Sequence, residues 1–331
     1  MKKILAILLA VFLFALVRVG LKNAEKMQWY TAGVSLRYEE PLQSDVVHDA
    51  HKQNASLTFW CQQEDILEIE NKQIHATVFL YNGDMAMVWG QPLKIGSIPS
   101  PFDGSGCVLS SGAAYALFGS ENVVGLFLKQ GNTTYVVRGI FESNDLLAIL
   151  PVSTAAFTAV EIPYTEALWQ DPDTQVTMLS QETGLPTPQW QLYPKEIFAI
   201  MQWTLYIPIL FSGIVLLSLF AHTIKGWTVI YRDGLVFLIL LLLILALPFF
   251  FQVWPQWLTP SRWSDFSWWR QVLSQLKNHF YAWLSIIPSY RDVCIKTIVL
   301  CHLSIIAGQC ILCEWLRCGL QKIEKLLPQT L

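Results

Sequence analysis

The chain has 331 residues, 53% of them hydrophobic and only 14% charged, with a formal net charge of −3. Such a balance describes a membrane protein long enough for two domains. It excludes a basic footprint for nucleic acid, and 7 cysteines in a chain this long exclude a disulfide-rich scaffold.

Lys2 and Lys3 precede an apolar run from Ile4 to Val17, followed by Arg18. This is either a cleaved secretory signal or an uncleaved anchor. Arg18 and Val19 stand where a small-x-small cleavage site is needed, so residues 1–21 read as a transmembrane anchor whose Arg18 snorkels. Charged residues then concentrate between Lys22 and Glu196. Residues 22–196 alternate strand and helix signals and form the expected extracytoplasmic α+β core domain, long enough to bury its own core. A helix is expected over Leu42 to Gln53, and strands over Leu57 to Cys61, Ile66 to Glu70 and Ile74 to Tyr81. A turn at Asn82-Gly83-Asp84 should lead into a further strand, Met85 to Trp89.

Residues 103–141 read as strand, helix, turn and hairpin. Ser110-Ser111 offers an N-cap to a helix Gly112 to Phe118, which Gly119 stops. Val123, Val124 and Gly125 lead into strands Leu126 to Lys129 and Thr133 to Ile140, joined at Gln130-Gly131-Asn132. Strands Leu146 to Ile149 and Ala159 to Ile162 follow. The polar stretch Thr165 to Gly184 is expected to be helical, and Pro186 and Pro188 end it.

From Ile197 to Ile224 no residue is charged, a helix at about 1.5 Å per residue longer than the roughly 30 Å hydrocarbon core. This is the expected transmembrane stalk, with Pro208 and Gly213 as kink positions. A short polar hinge, His222 to Asp233, carries Lys225 and Arg232. A second span runs over 234–253, and Trp254, Trp257 and Trp263 form an interfacial belt. In the Trp-rich segment 255–292, Trp268, Trp269, Val272, Leu276, Phe280, Trp283 and Leu284 recur near helical spacing between polar residues. The pattern suits an amphipathic helix in the membrane interface; the alternative is a helix packed on the soluble domain. The last span is 297–313, followed by a cytoplasmic tail, 314–331, with Arg317, Lys322 and Lys325. Lysine and arginine placement puts both termini inside and the large domain outside a multi-pass cell-membrane protein, although Arg262, Arg270, Lys277, Arg291 and Lys296 fall on the outer side.

Asp45, His48, Asp49 and His51 share one helix and read as its solvated face, because a zinc site needs three or four converging ligands. Cys61 and Cys107 are either a disulfide, closing a loop that would stabilise the fold by roughly 4 kcal/mol, or buried thiols. Cys310-Ile311-Leu312-Cys313 lies inside a span, where a low-pKa thiolate is disfavoured; with Cys294, Cys301 and Cys318 these are read as packing residues. His302 and Gln309, with Gln202 and His222 bordering the stalk, are read as interhelical hydrogen-bonding groups. No G-x-x-x-x-G-K-[ST], G-x-S-x-G or H-E-x-x-H is present, so no ATP-binding, catalytic or metal residue is expected, and no cofactor of the chain's own.

The helix ending Leu117-Phe118-Gly119, Val124-Gly125, the hairpin, and Tyr135, Val136, Val137, Arg138, Gly139 and Ile140 resemble the periplasmic core domain of MacB-type ABC transporter permeases. The order anchor, outer domain and three spans resembles MacB-type and FtsX-type permeases. The resemblance implies a domain with two subdomains, its ends at 27–90 and 143–194 and an inserted subdomain at about 91–142, attached to a four-helix transmembrane region. It further implies a non-enzymatic permease-like subunit, exporter or mechanotransmitter, driven by a separate ABC ATPase and paired in a homodimer or with a related permease, with Gly119, Gly125 and Gly139 as structural residues. The long outer segment 255–292 and the short hinge His222 to Asp233 depart from that layout. They keep open an orphan membrane-anchored binding or scaffold protein without transport.

Overall fold

A computed structural model describes residues 2–70, 72–206, 208, 233, 234, 237, 241, 244, 245, 262 and 264–325. The chain divides into two compact units: residues 28–195 with 260–293, and residues 1–27 with 196–259 and 294–331. In chain order the elements are α1 (Lys2–Gln28), β1 (Gly33–Arg37), α2 (Ser44–Gln53), β2 (Thr58–Ile69), β3 (Lys72–Asn82), α3 (Met85–Val88), β4 (Leu93–Gly96), β5 (Gly106–Ser110), α4 (Ser111–Phe118), β6 (Phe127–Gln130) and β7 (Thr133–Phe141). There follow β8 (Leu147–Pro151), β9 (Ala159–Pro163), α5 (Glu166–Gln170), α6 (Pro172–Thr183), β10 (Trp190–Leu192), α7 (Pro194–Thr204), α8 (Phe266–Ser285) and α9 (Tyr290–Lys325).

The larger unit is a mixed α/β domain on one 10-stranded sheet. β2 pairs β3, β3 pairs β8, β8 pairs β5, β5 pairs β7, β7 pairs β6, and β6 returns to β2. These strands therefore close into a ring. β4 extends it from β7, and β9, β1 and β10 extend it from β2. Because side chains alternate along a strand, each wall faces two cores. Ala76, Val78 and Leu80 of β3, Cys107 and Leu109 of β5, and Ala148 and Leu150 of β8 fill one. Phe79 and Tyr81, Val108, and Leu147 and Ile149 from the same strands fill the other, with Trp60, Trp89 and Phe141.

Several expectations change in the structure. The strands expected at Leu57 to Cys61 and Ile66 to Glu70 merge into one long strand, β2 (Thr58–Ile69), because β3 pairs with it from Phe59 to Ile69. Met85 to Trp89 is not a strand: the Asp84 carboxylate accepts the Ala86 N–H at 2.9 Å and nucleates the helical turn α3 instead. The inserted region 91–142 is woven into the common sheet through β5–β8 and β6–β2 pairing. The polar stretch 165–184 forms two helices, broken by Pro172 and closed by the left-handed Gly184. The helix 111–118 and the hairpin follow the expected pattern: Ser110 Oγ accepts the Ala113 N–H at 3.0 Å, and Gly119 ends the helix at φ 74°.

In the Trp-rich segment the expected helix, α8, belongs to the domain unit and buries Val272 and Trp283. Asp265 caps it, its Oδ1 accepting the Ser267 and Trp268 N–H groups at 3.0 and 3.2 Å. Trp190 Nε1 of β10 donates to Ser285 Oγ at 3.2 Å, and His279 Nε2 lies 3.3 Å from Asp173 Oδ1.

In the other unit, Asn23 Nδ2 of α1 donates to the Ile298 carbonyl of α9 at 2.8 Å. His302 Nε2 lies 2.9 Å from the Met201 carbonyl and 3.1 Å from Thr204 Oγ1, the helix-to-helix role expected of it. Gln309 is buried with no side-chain partner among the described residues. Residues 290–315 of α9, which contain an 18-residue window of mean hydropathy 1.8, are long and apolar enough to cross a membrane, the one such stretch among the described residues. The span expected at 297–313 lies within it. The expected spans 197–224 beyond α7 and 234–253, the hinge residues His222, Lys225 and Arg232, and Trp254, Trp257 and Trp263 lie wholly or largely outside the described residues.

Candidate functional site

Within the domain unit, four buried charges meet at one place on the sheet, two from its strands and two from the first turn of α9. Glu161 projects from β9, which lies between β1 and β2. Its Oε1 accepts Ser35 Oγ at 2.6 Å, Trp60 Nε1 at 2.9 Å and Arg291 Nη1 at 2.7 Å, and Arg291 Nη2 lies 3.5 Å from Oε2. The β1 residue Arg37 donates to Asp292 Oδ1 at 3.1 Å. Glu161 is 0%, Arg291 1%, Asp292 1% and Arg37 7% exposed. The two guanidinium carbons lie 4.2 Å (Arg37) and 5.6 Å (Arg291) from the Trp60 ring centroid, within cation–π range. Burial lowers the Arg37 pKa from its ordinary value, opposed by the charges of Asp292 and Glu161 and reinforced by Arg291. The guanidinium still carries its charge.

Local chemistry explains why Arg291 and Asp292 arrive together. Ser289 and Asp292 form a reciprocal capping box at the start of α9: Asp292 N donates to Ser289 Oγ at 3.2 Å, and Ser289 N donates to Asp292 Oδ2 at 3.0 Å. Asp292 thus caps the helix and pairs with Arg37 through its other oxygen. Tyr290 completes the attachment. Its N–H donates to Gln62 Oε1 at 2.6 Å, its hydroxyl donates to Asp145, and its ring lies 6.1 Å from that of Trp89. The first turn of α9 is therefore seated on β1, β2 and β9 by charge, cap and ring contacts.

Beside this seat is a cleft of about 280 Å³, lined by Arg37, Trp60, Gln62, Trp190, Ile287 and Ser289 among others. The carboxylates of the network are occupied as acceptors. Chemically it is an arrangement for holding a segment in one orientation.

The residues singled out from sequence lie elsewhere. Cys61 and Cys107 stand as free, buried thiols. Their strands, β2 and β5, are separated by β3 and β8 one way round the ring and by β6 and β7 the other. Burial pushes the two thiols up, to about 11 for Cys61 and about 12 for Cys107. Gly119 and Gly125 hold φ 74° and 90°, while at Gly139 an added Cβ would stand 2.5 Å from Leu93 Cδ1. His51, from the solvated-face quartet, stacks on Phe59 at 5.1 Å between ring centroids, and burial, then His48, lowers its pKa.

Sequence reasoning missed the seat. Its one local signal is a charge inside an otherwise apolar strand, Glu161 in Ala159–Pro163 and Arg37 in Gly33–Arg37, which in a fully buried strand demands a partner.

No family model and no curated protein sequence matches the chain. Among solved structures, the periplasmic region of MacB from Actinobacillus actinomycetemcomitans is similar over 55% of this chain and 98% of that one, at 16% identity and a TM-score of 0.41. The extracellular domain of the noncanonic ABC-type transporter YknZ from Gram-positive bacteria is similar over 47% of this chain and 96% of that one, at 11% identity and a TM-score of 0.36. Likeness of this degree assigns the chain to no family.

Proposed function

We propose that this chain is a permease-like membrane subunit of an ABC transport system, acting as an exporter or mechanotransmitter and driven by a separate ATPase. The observation that carries the reading is the seat: the extracytoplasmic domain grips the first turn of α9, the membrane-span candidate, through buried charges. A helix held by directional ionic contacts passes its displacement to the domain, whereas a loosely tethered one does not. The sequence resemblance of residues 103–141 to the MacB-type core domain supports the same reading, as does the uncharged stretch 197–224 that follows the domain in the sequence. The subunit would be non-enzymatic, would use ATP only through its partner, and would pair with a second copy or a related permease. A second reading, an orphan membrane-anchored binding or scaffold protein, is favoured by the short hinge His222 to Asp233, in which no coupling helix for an ATPase is legible.

The two readings separate in one preparation. Under the first, the chain purified in mild detergent brings down a P-loop ATPase, and ATP depletion abolishes its cellular phenotype. Failure to recover any such ATPase, with a phenotype indifferent to ATP, would leave the scaffold reading standing.

A further inference from the structure

Helix α8 has two faces, and the domain uses one. Val272 and Trp283 are buried, and Ser285 and His279 bond to Trp190 and Asp173. The opposite face leaves Phe266 79%, Leu273 63%, Phe280 54% and Leu284 49% exposed, and Ile287, just beyond the helix, 76%. Arg270 and Lys277, both exposed, stand in the same stripe at helical spacing. From Phe266 to Arg291 the sequence has no aspartate or glutamate. An exposed apolar stripe of this size, carrying only positive charge, is not ordinary solvent-facing surface.

We infer that this outer face of α8 lies in the headgroup region of an anionic bilayer and holds the domain down on the membrane. Charge complementarity and continuity with α9 select this occupant. Residues 286–289 separate α8 from α9, and four residues reach at most about 14 Å. The end of α8 is thus tethered close to the start of a helix able to cross a membrane. The interfacial zone is about 5–10 Å deep and takes helices with Trp, Phe and Leu on one side and Lys or Arg at the headgroups. Each cation near an anionic surface raises partitioning roughly fivefold, so Arg270 and Lys277 together contribute on the order of thirtyfold. The inference rests on reading α9 as a membrane span and is independent of any ATPase.

Hydrogen exchange of the full chain tests it, in nanodiscs of phosphatidylcholine alone or of phosphatidylcholine mixed with phosphatidylglycerol. The amides of α8 should exchange at least about tenfold more slowly in the anionic mixture. Arg270→Gln with Lys277→Gln should abolish the difference, Leu273→Asp should abolish protection in both lipids, and ring-strand amides should be unchanged in every variant as the measure of folding. Equal α8 exchange in the two lipids would overturn the inference. So would protection that persists in detergent and rises with protein concentration, since the occupant would then be a second copy of the chain. Protection of α9 in every lipid separately reports whether the span reading holds.

Discussion

The ring interior and the seat of α9 are both fully buried, yet one is built from carbon and the other from charge. The ring closes on Cys107, Leu109, Val137, Ala148 and Leu150, whose packing is non-directional and stabilises in proportion to area. The seat buries Glu161 with Arg291 and Arg37 with Asp292, where desolvation consumes most of the Coulomb gain. An apolar pocket would accept many segments in many orientations. The seat accepts a segment that presents an arginine and an aspartate side by side on a capped helix turn. The difference assigns stability to the ring and orientation to the seat.

The comparison breaks most visibly at Glu161. Glu161→Ala leaves Arg291 buried without its carboxylate and should cost about 3–5 kcal/mol, measured by denaturant unfolding of the full chain in detergent, with rapid hydrogen exchange at 286–293. Replacing both partners, Glu161→Met with Arg291→Met, should recover most of that loss while residues 286–293 still exchange faster than in the parent. No recovery would mean that the pair stabilises outright and that the contrast with the ring is wrong. Leu109→Ala, inside the ring, should cost about 2–5 kcal/mol through lost burial and a residual cavity without selectively freeing 286–293. Leu109→Met should cost less than about 1.5 kcal/mol.

The same contrast explains what was legible beforehand. Local chemistry carried far: the Ser110 cap, the Gly119 stop and the hairpin turn at Gly131 need only neighbouring residues, and all appear where expected. Ring closure was not legible, because β6–β2 pairing joins residues distant in sequence, and neither was β10, only three residues long. Helix α8 showed its amphipathic period but not which face the domain takes, since Trp283 and Leu284 are equally apolar and only the fold buries the former. The seat was least legible. Arg291 counted as one more outer positive charge, and nothing near it in the sequence announces Glu161, 130 positions away.

A smaller effect sharpens the backbone side of the ring. Gly125 sits at φ 90° with open space where a Cβ would go, and its N–H donates to the Val137 carbonyl at 2.7 Å. Gly125→Val therefore meets no clash and should cost about 1–2 kcal/mol from the left-handed backbone alone, read as a shift in unfolding midpoint. Gly125→Asn should recover part of it, because asparagine tolerates that region. A Gly125→Val protein with unchanged stability and altered function would place this turn in recognition and not in folding.

The weakest predicted effect belongs to a polar contact between the domain and α8, Asp173 with His279. A hydrogen bond from His279, then one from Tyr193 at 2.6 Å, lowers the Asp173 pKa from its ordinary value. A lowered folded-state pKa means stability that is fully present above the unfolded carboxylate value near 3.9 and is lost as pH falls through the depressed one. The Asp173 side chain is 42% exposed, so solvent screening holds the contribution to about 0.5 kcal/mol, well below that of removing one partner from the seat. Asp173→Asn should therefore lower the unfolding midpoint slightly at neutral pH, and the gap from the parent should close in acid below the depressed pKa. A gap as large as that of Glu161→Ala would make α8 as firmly held as the first turn of α9, and the division between a rigid seat and a lightly pinned surface helix would fail.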